Sequence, residues 1–273
     1  MDFIFWTLCG VYIFGWGLCC LSYFRLQQPA SAWGHRILIL GLCLQLIFIV
    51  VSYGETKVIL FSSLSGLMMF LSLLLIVVLF ILNFYFPDQI FELIFPPLTV
   101  FFLILSVLIS DQAIVSQEYL ERSTLPGRSL LIAHGSLSIL GYLLFGVACL
   151  TSTFFLYQEK QIKNKTLLLK KVKVPSLGLL DTVIFKMIVA GFLFLTVGLL
   201  LGNIMGIFTY EQSPTFTLRQ LLPVLTWAIY ASLLFTRSAI GIRGRNSAIL
   251  SIIGFLVAVI SFVYEIILLA SRS

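Results

Sequence analysis

The sequence predicts an all-α, polytopic membrane protein with eight transmembrane helices, both termini on the non-cytoplasmic side, and a single membrane domain over residues 1–273. Composition is the first reason: 60% of residues are hydrophobic and 10% charged, and the mean hydropathy is +1.11. A soluble domain carries about 25% charged residues, so a buried core alone does not explain the deficit. The second reason is length, because several apolar stretches exceed the roughly 20 residues needed to cross a bilayer. The third is that the connections between them are short and polar, which leaves no room for a sizeable soluble domain.

Helix one is expected over 3–24, apolar with Trp6 and Trp16, ending at Arg25. Met1–Leu21 lacks a basic leader and a small-residue cleavage site, so it is expected to be retained as a helix. Pro29, Ser31, Gly34 and His35-Arg36 read as a short polar connection. Helix two follows over 37–53 with Gln45 at its centre, and helix three over 58–84, closed by Pro87-Asp88. Helix four is expected over 91–110, with Pro96-Pro97 kinking it or delaying its start. A longer polar connection, 111–127, leads to helix five over 128–157. The strongest charge run comes next, with Lys160, Lys163, Lys165, Lys170, Lys171 and Lys173. Helices six, seven and eight are expected over 183–208, 218–235 and 247–269, the last two separated by Arg237, Arg243 and Arg245.

Lys and Arg gather on the cytoplasmic side of membrane proteins. Twelve of the seventeen basic residues lie in or beside connections 1–2, 5–6 and 7–8. The termini and residues 111–127 therefore face away from the cytoplasm, and His134 lies one to two turns inside that outer face. The charge of +6 reads as topology and not as a nucleic-acid surface, because the basic residues are dispersed between apolar segments without interleaved aromatics. Cys9, Cys19, Cys20, Cys43 and Cys149 fall in or at the edge of apolar segments with no zinc-type spacing, and read as packed or lipid-facing thiols.

An ionisable side chain within a spanning segment is costly and is a functional candidate for that reason. Lys186 and Glu265 lie near helix ends, where snorkelling accounts for them; His35, beside Arg36, reads as a solvated or headgroup residue. His134 is harder to dismiss. At helical spacing His134, Ser138, Gly141 and Phe145 share one face, with Gly135, Tyr142 and Gly146 close by. Small residues there admit another helix or a flat ligand, and a neutral imidazole facing such a space is a candidate axial ligand for haem iron. Helix packing and an interfacial histidine explain the same pattern. No phosphate loop, nucleophile elbow or intramembrane carboxylate pair is present, so the expectation is a protein that is not an enzyme.

Leu131-Ile-Ala-His134-Gly-Ser-Leu-Ser138-Ile-Leu-Gly-Tyr142, then Leu225-Thr226-Trp227-Ala-Ile-Tyr230 through Thr236-Arg237 and Gly241-Ile-Arg243-Gly-Arg245, resembles the cytochrome c assembly family. Within it the likeness is to the small eight-helix HemX and YpjD-like inner-membrane proteins. The resemblance implies a bacterial cytoplasmic (inner) membrane, haem as cofactor, His134 as its axial ligand, and Ser138, Tyr142 and Trp227 as lining. Two departures matter: residues 203–217 contain no tryptophan where haem-presenting members carry a tryptophan-rich segment, and Gln45 and Phe235 stand where members often have histidine. A second axial ligand would come from water, another side chain or a second protomer.

The leading expectation is an integral membrane protein that binds or senses haem or supports cytochrome c assembly. Its partners are the lipid bilayer, assembly components and a further copy of the chain. One alternative is a haem-free scaffold or regulator that engages a haem-biosynthesis enzyme through the basic 158–173 loop. The third is a small-molecule exporter, ranked last because the one proline pair lies near a cytoplasmic end and not at the midplane.

Overall fold

The computed structural model describes residues 2–25, 28–56, 63–85, 90–109, 125–164, 175–209, 218–241 and 243–270. These form helices α1 (Asp2–Arg25), α2 (Gln28–Thr56), α3 (Leu64–Tyr85), α4 (Ile90–Leu108), α5 (Leu125–Lys163), α6 (Leu177–Thr209), α7 (Leu218–Phe235) and α8 (Arg245–Ala270). Among the described residues, eight helices are long and apolar enough to cross a membrane. The chain divides into two compact units, residues 1–116 with 172–175, and residues 117–171 with 176–273. The first contains α1–α4 and the second α5–α8.

Several helices extend past their apolar stretches, each for a local reason. α2 begins at Gln28 and not at residue 37. Pro29 falls in its first turn, where the missing N–H has no helical partner to lose, so the expected polar connection through Arg36 is helix. α6 starts at Leu177, earlier than 183, because Ser176 caps it: the Leu179 N–H donates to Ser176 Oγ at 3.2 Å. α3 starts later than expected, at Leu64, where Ser63 Oγ accepts from the Gly66 N–H at 3.2 Å.

At the other end of its run, α5 reaches Lys163, supported by a 2.7 Å Glu159–Lys163 ion pair one turn apart. Its 39 residues give a length of roughly 58 Å at 1.5 Å per residue, about twice a hydrocarbon core, so it projects beyond the membrane.

α4 runs through Pro96 and Pro97 without a break. Pro97 lacks the N–H that the Leu93 carbonyl would accept one turn earlier. Trp16 on α1 replaces it, its indole N–H donating to Leu93 O at 3.0 Å. The same first unit buries a polar chain. Tyr12 OH donates to Gln45 Oε1 at 2.7 Å, Gln45 Nε2 to Ser72 Oγ at 2.7 Å, and Ser72 Oγ to Met69 O at 2.7 Å. All three side chains are fully buried, and the chain of donors ties α1, α2 and α3 together.

In the second unit α5 packs closely against α6, and the core gathers Phe145, Leu180, Ile184, Ile188, Tyr230 and Leu233. Phe145 stacks on Tyr230 with ring centroids 3.6 Å apart and planes 6° from parallel. α7 ends in a π-helical turn, Thr236–Ile240, stopped by Gly241 at φ 77°. Gly244 at φ 66° turns the chain into α8. Both angles lie in the left-handed region that glycine enters without a Cβ penalty.

Candidate functional site

His134 lies in the second turn of helix α5's membrane span, half-buried against α6. Its Nδ1 is 2.7 Å from the carbonyl oxygen of Gly198. A carbonyl only accepts, so Nδ1 carries the hydrogen and donates. In the neutral ring Nε2 then holds the free lone pair, and among the described residues no hydrogen bond reaches it. The backbone carbonyl thus fixes the tautomer and the ring orientation in the way that the outer partners of metal-bound histidines do.

Glycines on α6 make this seat. A Cβ at Gly202 would lie 2.7 Å from His134 Cε1 and 2.9 Å from Nδ1. One at Gly198 would lie 2.5 Å from Ser138 Oγ, and one at Gly191 would lie 2.8 Å from Phe145 Cε1. Gly141 on α5 meets the backbone of Leu195 and Gly191 in the same way. The stripe His134, Ser138, Gly141, Phe145 therefore faces α6 along its length, and its small residues serve the close approach of a helix. Of the two uses open to that stripe, packing against α6 takes the face.

The other expected lining residues have different partners. Tyr142 turns towards α8, with its OH 3.4 Å from Ser261 Oγ and its ring 6.3 Å from that of Phe262. Trp227 on α7 packs against α6, where its Nε1–H donates to Thr196 Oγ1 at 3.0 Å and its ring lies 5.4 Å from Phe192. Ser138 alone shares the contact face of His134. Of the basic connection, Lys160 and Lys163 complete α5, while Lys165, Lys170, Lys171 and Lys173 lie outside the described residues, as do 203–217 beyond Thr209.

Two polar groups were not anticipated. His35, read as a residue of a connection, lies within the α2 span and meets the buried carboxylate of Glu92 at 3.0 Å. The helix starts nine residues earlier than hydropathy indicates and carries the ring onto α4, with 37% of the side chain still exposed. The signal available was Pro29, a first-turn proline. The second group joins α6, the π turn and α8. Arg237 Nη1 and Nη2 donate to Asp181 Oδ1 and Oδ2 at 3.0 and 2.7 Å, and Nη1 also to Ser247 Oγ at 3.1 Å. Asp181 Oδ1 accepts the Gly244 N–H at 3.0 Å, and the guanidinium lies 4.5 Å over the Phe185 ring. Arg237 and Gly244 of the motifs that carry the resemblance thus meet on Asp181 in one half-buried clasp within the second unit.

Eight helices long and apolar enough to cross a membrane, among the described residues, define an integral membrane protein of the helical class. Residues 61–269 match the family described as cytochrome C assembly protein, and the chain belongs to that family. Curated relatives include the cytochrome c biogenesis protein CcsA of Atropa belladonna, 31% identical over 151 residues, covering 46% of this chain and 48% of that protein. Another is CcsA of Prochlorococcus marinus strain NATL1A, 28% identical over 119 residues, covering 44% of this chain and 38% of that protein. The alignments thus span half or less of the relatives' own length. No solved structure matches.

Proposed function

We propose that this chain is a non-enzymatic membrane protein that binds haem through His134 in support of cytochrome c assembly. The observation that carries the reading is the 2.7 Å bond from His134 Nδ1 to Gly198 O, which leaves Nε2 as the nitrogen able to ligate iron. His134 is the residue that would hold the group, through Nε2. When bound, haem would supply a redox-active iron and the porphyrin that cytochrome c maturation attaches. What the chain itself does is hold the imidazole: Gly198 accepts its proton-bearing nitrogen, Gly202 leaves room for the ring, and Ser138 packs beneath on Gly198. His134 is the one histidine of the second unit, so any further ligand to the iron would come from water, another side chain or a second copy of the chain.

Membership of the family and the names of its relatives support the assembly role. The basic residues support an orientation with both termini and residues 111–127 outside a cytoplasmic (inner) membrane of bacterial type. That orientation sets His134 near the outer face, on the side where cytochrome c is matured.

The test is spectroscopic. Protein purified with haem available is expected to show a Soret band that is lost in His134→Ala and partly restored by added imidazole. Absence of the band in the unmutated protein, or an unchanged band in the variant, overturns the assignment. Unaltered thermal unfolding of the haem-free variant separates loss of a ligand from loss of the fold.

A further inference from the structure

At the end of α5 remote from His134, the second unit carries cations that the haem reading does not use. Lys163 near the end of α5 and Arg245 at the first position of α8 converge on one carboxylate. Lys163 Nζ lies 2.7 Å from Glu159 Oε1, and Arg245 Nη1 lies 3.6 Å from Glu159 Oε2. The turn before α8 rests on the same stretch of α5, since a Cβ on Gly244 would meet Phe155 Cζ at 3.7 Å. Two more exposed cations adjoin this pair. Lys160 precedes Lys163 by one turn of α5, on the same side of the helix, and Arg243 lies two residues before Arg245.

The charges here do not cancel. Four cations gather around the single carboxylate of Glu159, while the neighbouring Arg237 is already committed to Asp181. Lys163 and Arg245 keep 62% and 60% of their side chains exposed. At 3.6 Å the Arg245 contact is an ion pair and too long for a hydrogen bond, so the guanidinium keeps its N–H donors. Among the described residues no hydrogen bond reaches the Arg243 guanidinium or the Lys160 ammonium either. Forked guanidinium donors match the oxygens of a phosphate, and ammonium groups add charge beside them.

The position of the patch names the source of that phosphate. Residues 241–244 join two membrane spans, Gln220–Ile240 and Arg245–Tyr264, so they lie where hydrocarbon gives way to headgroups. The contacts of Glu159 and Phe155 bring the last turns of α5 to the same level. On the chain just before the turn, Phe235 and Ile240 are exposed apolar side chains. Cations at the boundary beside apolar side chains match both parts of a phospholipid, whereas free phosphate would use the cations alone. The excess of positive charge selects a lipid with net negative charge over a zwitterionic one.

We propose that Lys160, Lys163, Arg243 and Arg245 bind the headgroup phosphate of an anionic phospholipid, whose acyl chains lie against Phe235 and Ile240. Binding is non-covalent and supplies the negative charge that Glu159 alone does not. The site is distinct from His134 and does not depend on haem.

The full chain in neutral detergent, titrated with lipid while thermal unfolding is followed, tests this. The midpoint is expected to rise with phosphatidylglycerol, and not with phosphatidylcholine or inorganic phosphate at the same concentration. In the double variant Lys160→Gln/Arg243→Gln, which breaks no ion pair among the described residues, the phosphatidylglycerol needed for half the rise increases on the order of tenfold. The charge-matched double variant Lys57→Gln/Arg122→Gln leaves it unchanged. An equal rise with phosphatidylcholine, an equal rise with inorganic phosphate, or the same titration in both double variants overturns the proposal. No rise with either lipid overturns it as well and leaves the patch to an acidic protein partner. Should Lys160→Gln/Arg243→Gln fail to accumulate, the unmutated protein decides: raised salt must weaken the phosphatidylglycerol response by screening, and an unweakened response overturns the proposal.

Discussion

An imidazole can bind a metal through one nitrogen most effectively when the other is committed elsewhere, and at His134 the committed partner is a backbone carbonyl that no substitution of Gly198 removes. What a substitution can change is the space around the ring. A methyl at Gly202 would sit 2.7 Å from His134 Cε1, so Gly202→Ala must displace the imidazole or separate α5 from α6. Overpacking of this kind costs about 1–3 kcal/mol, and thermal unfolding in detergent should show the loss together with a weakened Soret band. Gly10→Ala is the control: nothing lies within 4 Å of its Cβ, so the midpoint should hold or rise slightly. Ser138 fits the same logic, while Tyr142 and Trp227, tied to α8 and to Thr196, are expected to affect packing more than any haem spectrum.

Between helices, the polar contacts decide which neighbour each helix takes. In the first unit Gln45 both accepts from Tyr12 and donates to Ser72. Gln45→Leu leaves the buried Tyr12 hydroxyl without an acceptor, at a cost of about 1–3 kcal/mol. Adding Tyr12→Phe removes the orphaned group, so the double variant should be more stable than Gln45→Leu alone when both are unfolded side by side. In the second unit the Arg237–Asp181 pair has side chains 9% and 18% exposed. Asp181→Asn leaves a guanidinium buried without its counter-charge, a loss on the order of 3 kcal/mol. Arg237→Lys should not rescue the clasp, because an ammonium cannot fork to both carboxylate oxygens and Ser247. A double-mutant cycle on unfolding midpoints measures the coupling.

At the scale of the whole molecule the governing facts are charge distribution and division into two four-helix units. The orientation proposed from the basic residues predicts that cysteines placed in residues 111–127 react with an impermeant thiol reagent in intact cells, and that cysteines in 165–173 do not. Labelling in the opposite pattern reverses the topology and moves His134 to the cytoplasmic face. Replacing the six lysines between Lys160 and Lys173 by glutamine is expected to weaken that orientation, seen as mixed labelling of the two positions.

Much of the fold was legible in the sequence because hydropathy reports transfer into lipid residue by residue. Eight apolar runs became eight helices, and residues 218–235 matched α7 to the residue. The boundaries elsewhere moved because a helix ends where its backbone is capped and not where its side chains cease to be apolar: Ser176 and Ser63 set two starts, and a first-turn proline a third. The same displacement hid the contact of His35 with Glu92, because hydropathy assigns His35 to a connection and the longer α2 carries it onto α4. His134 was legible as an intramembrane titratable group; its orientation was not.

The sequence by itself determined the membrane class, the eight apolar spans among the described residues, the family and the singular position of His134, since each follows from local composition or a short motif. Only the tertiary structure decided that the small-residue face beside His134 is filled by α6, that the Gly198 carbonyl accepts the hydrogen bond of Nδ1–H, and that Arg237 closes on Asp181. The last two contacts join residues 64 and 56 positions apart, and which glycine a histidine meets is set by how closely two helices pack, a quantity that no local pattern contains.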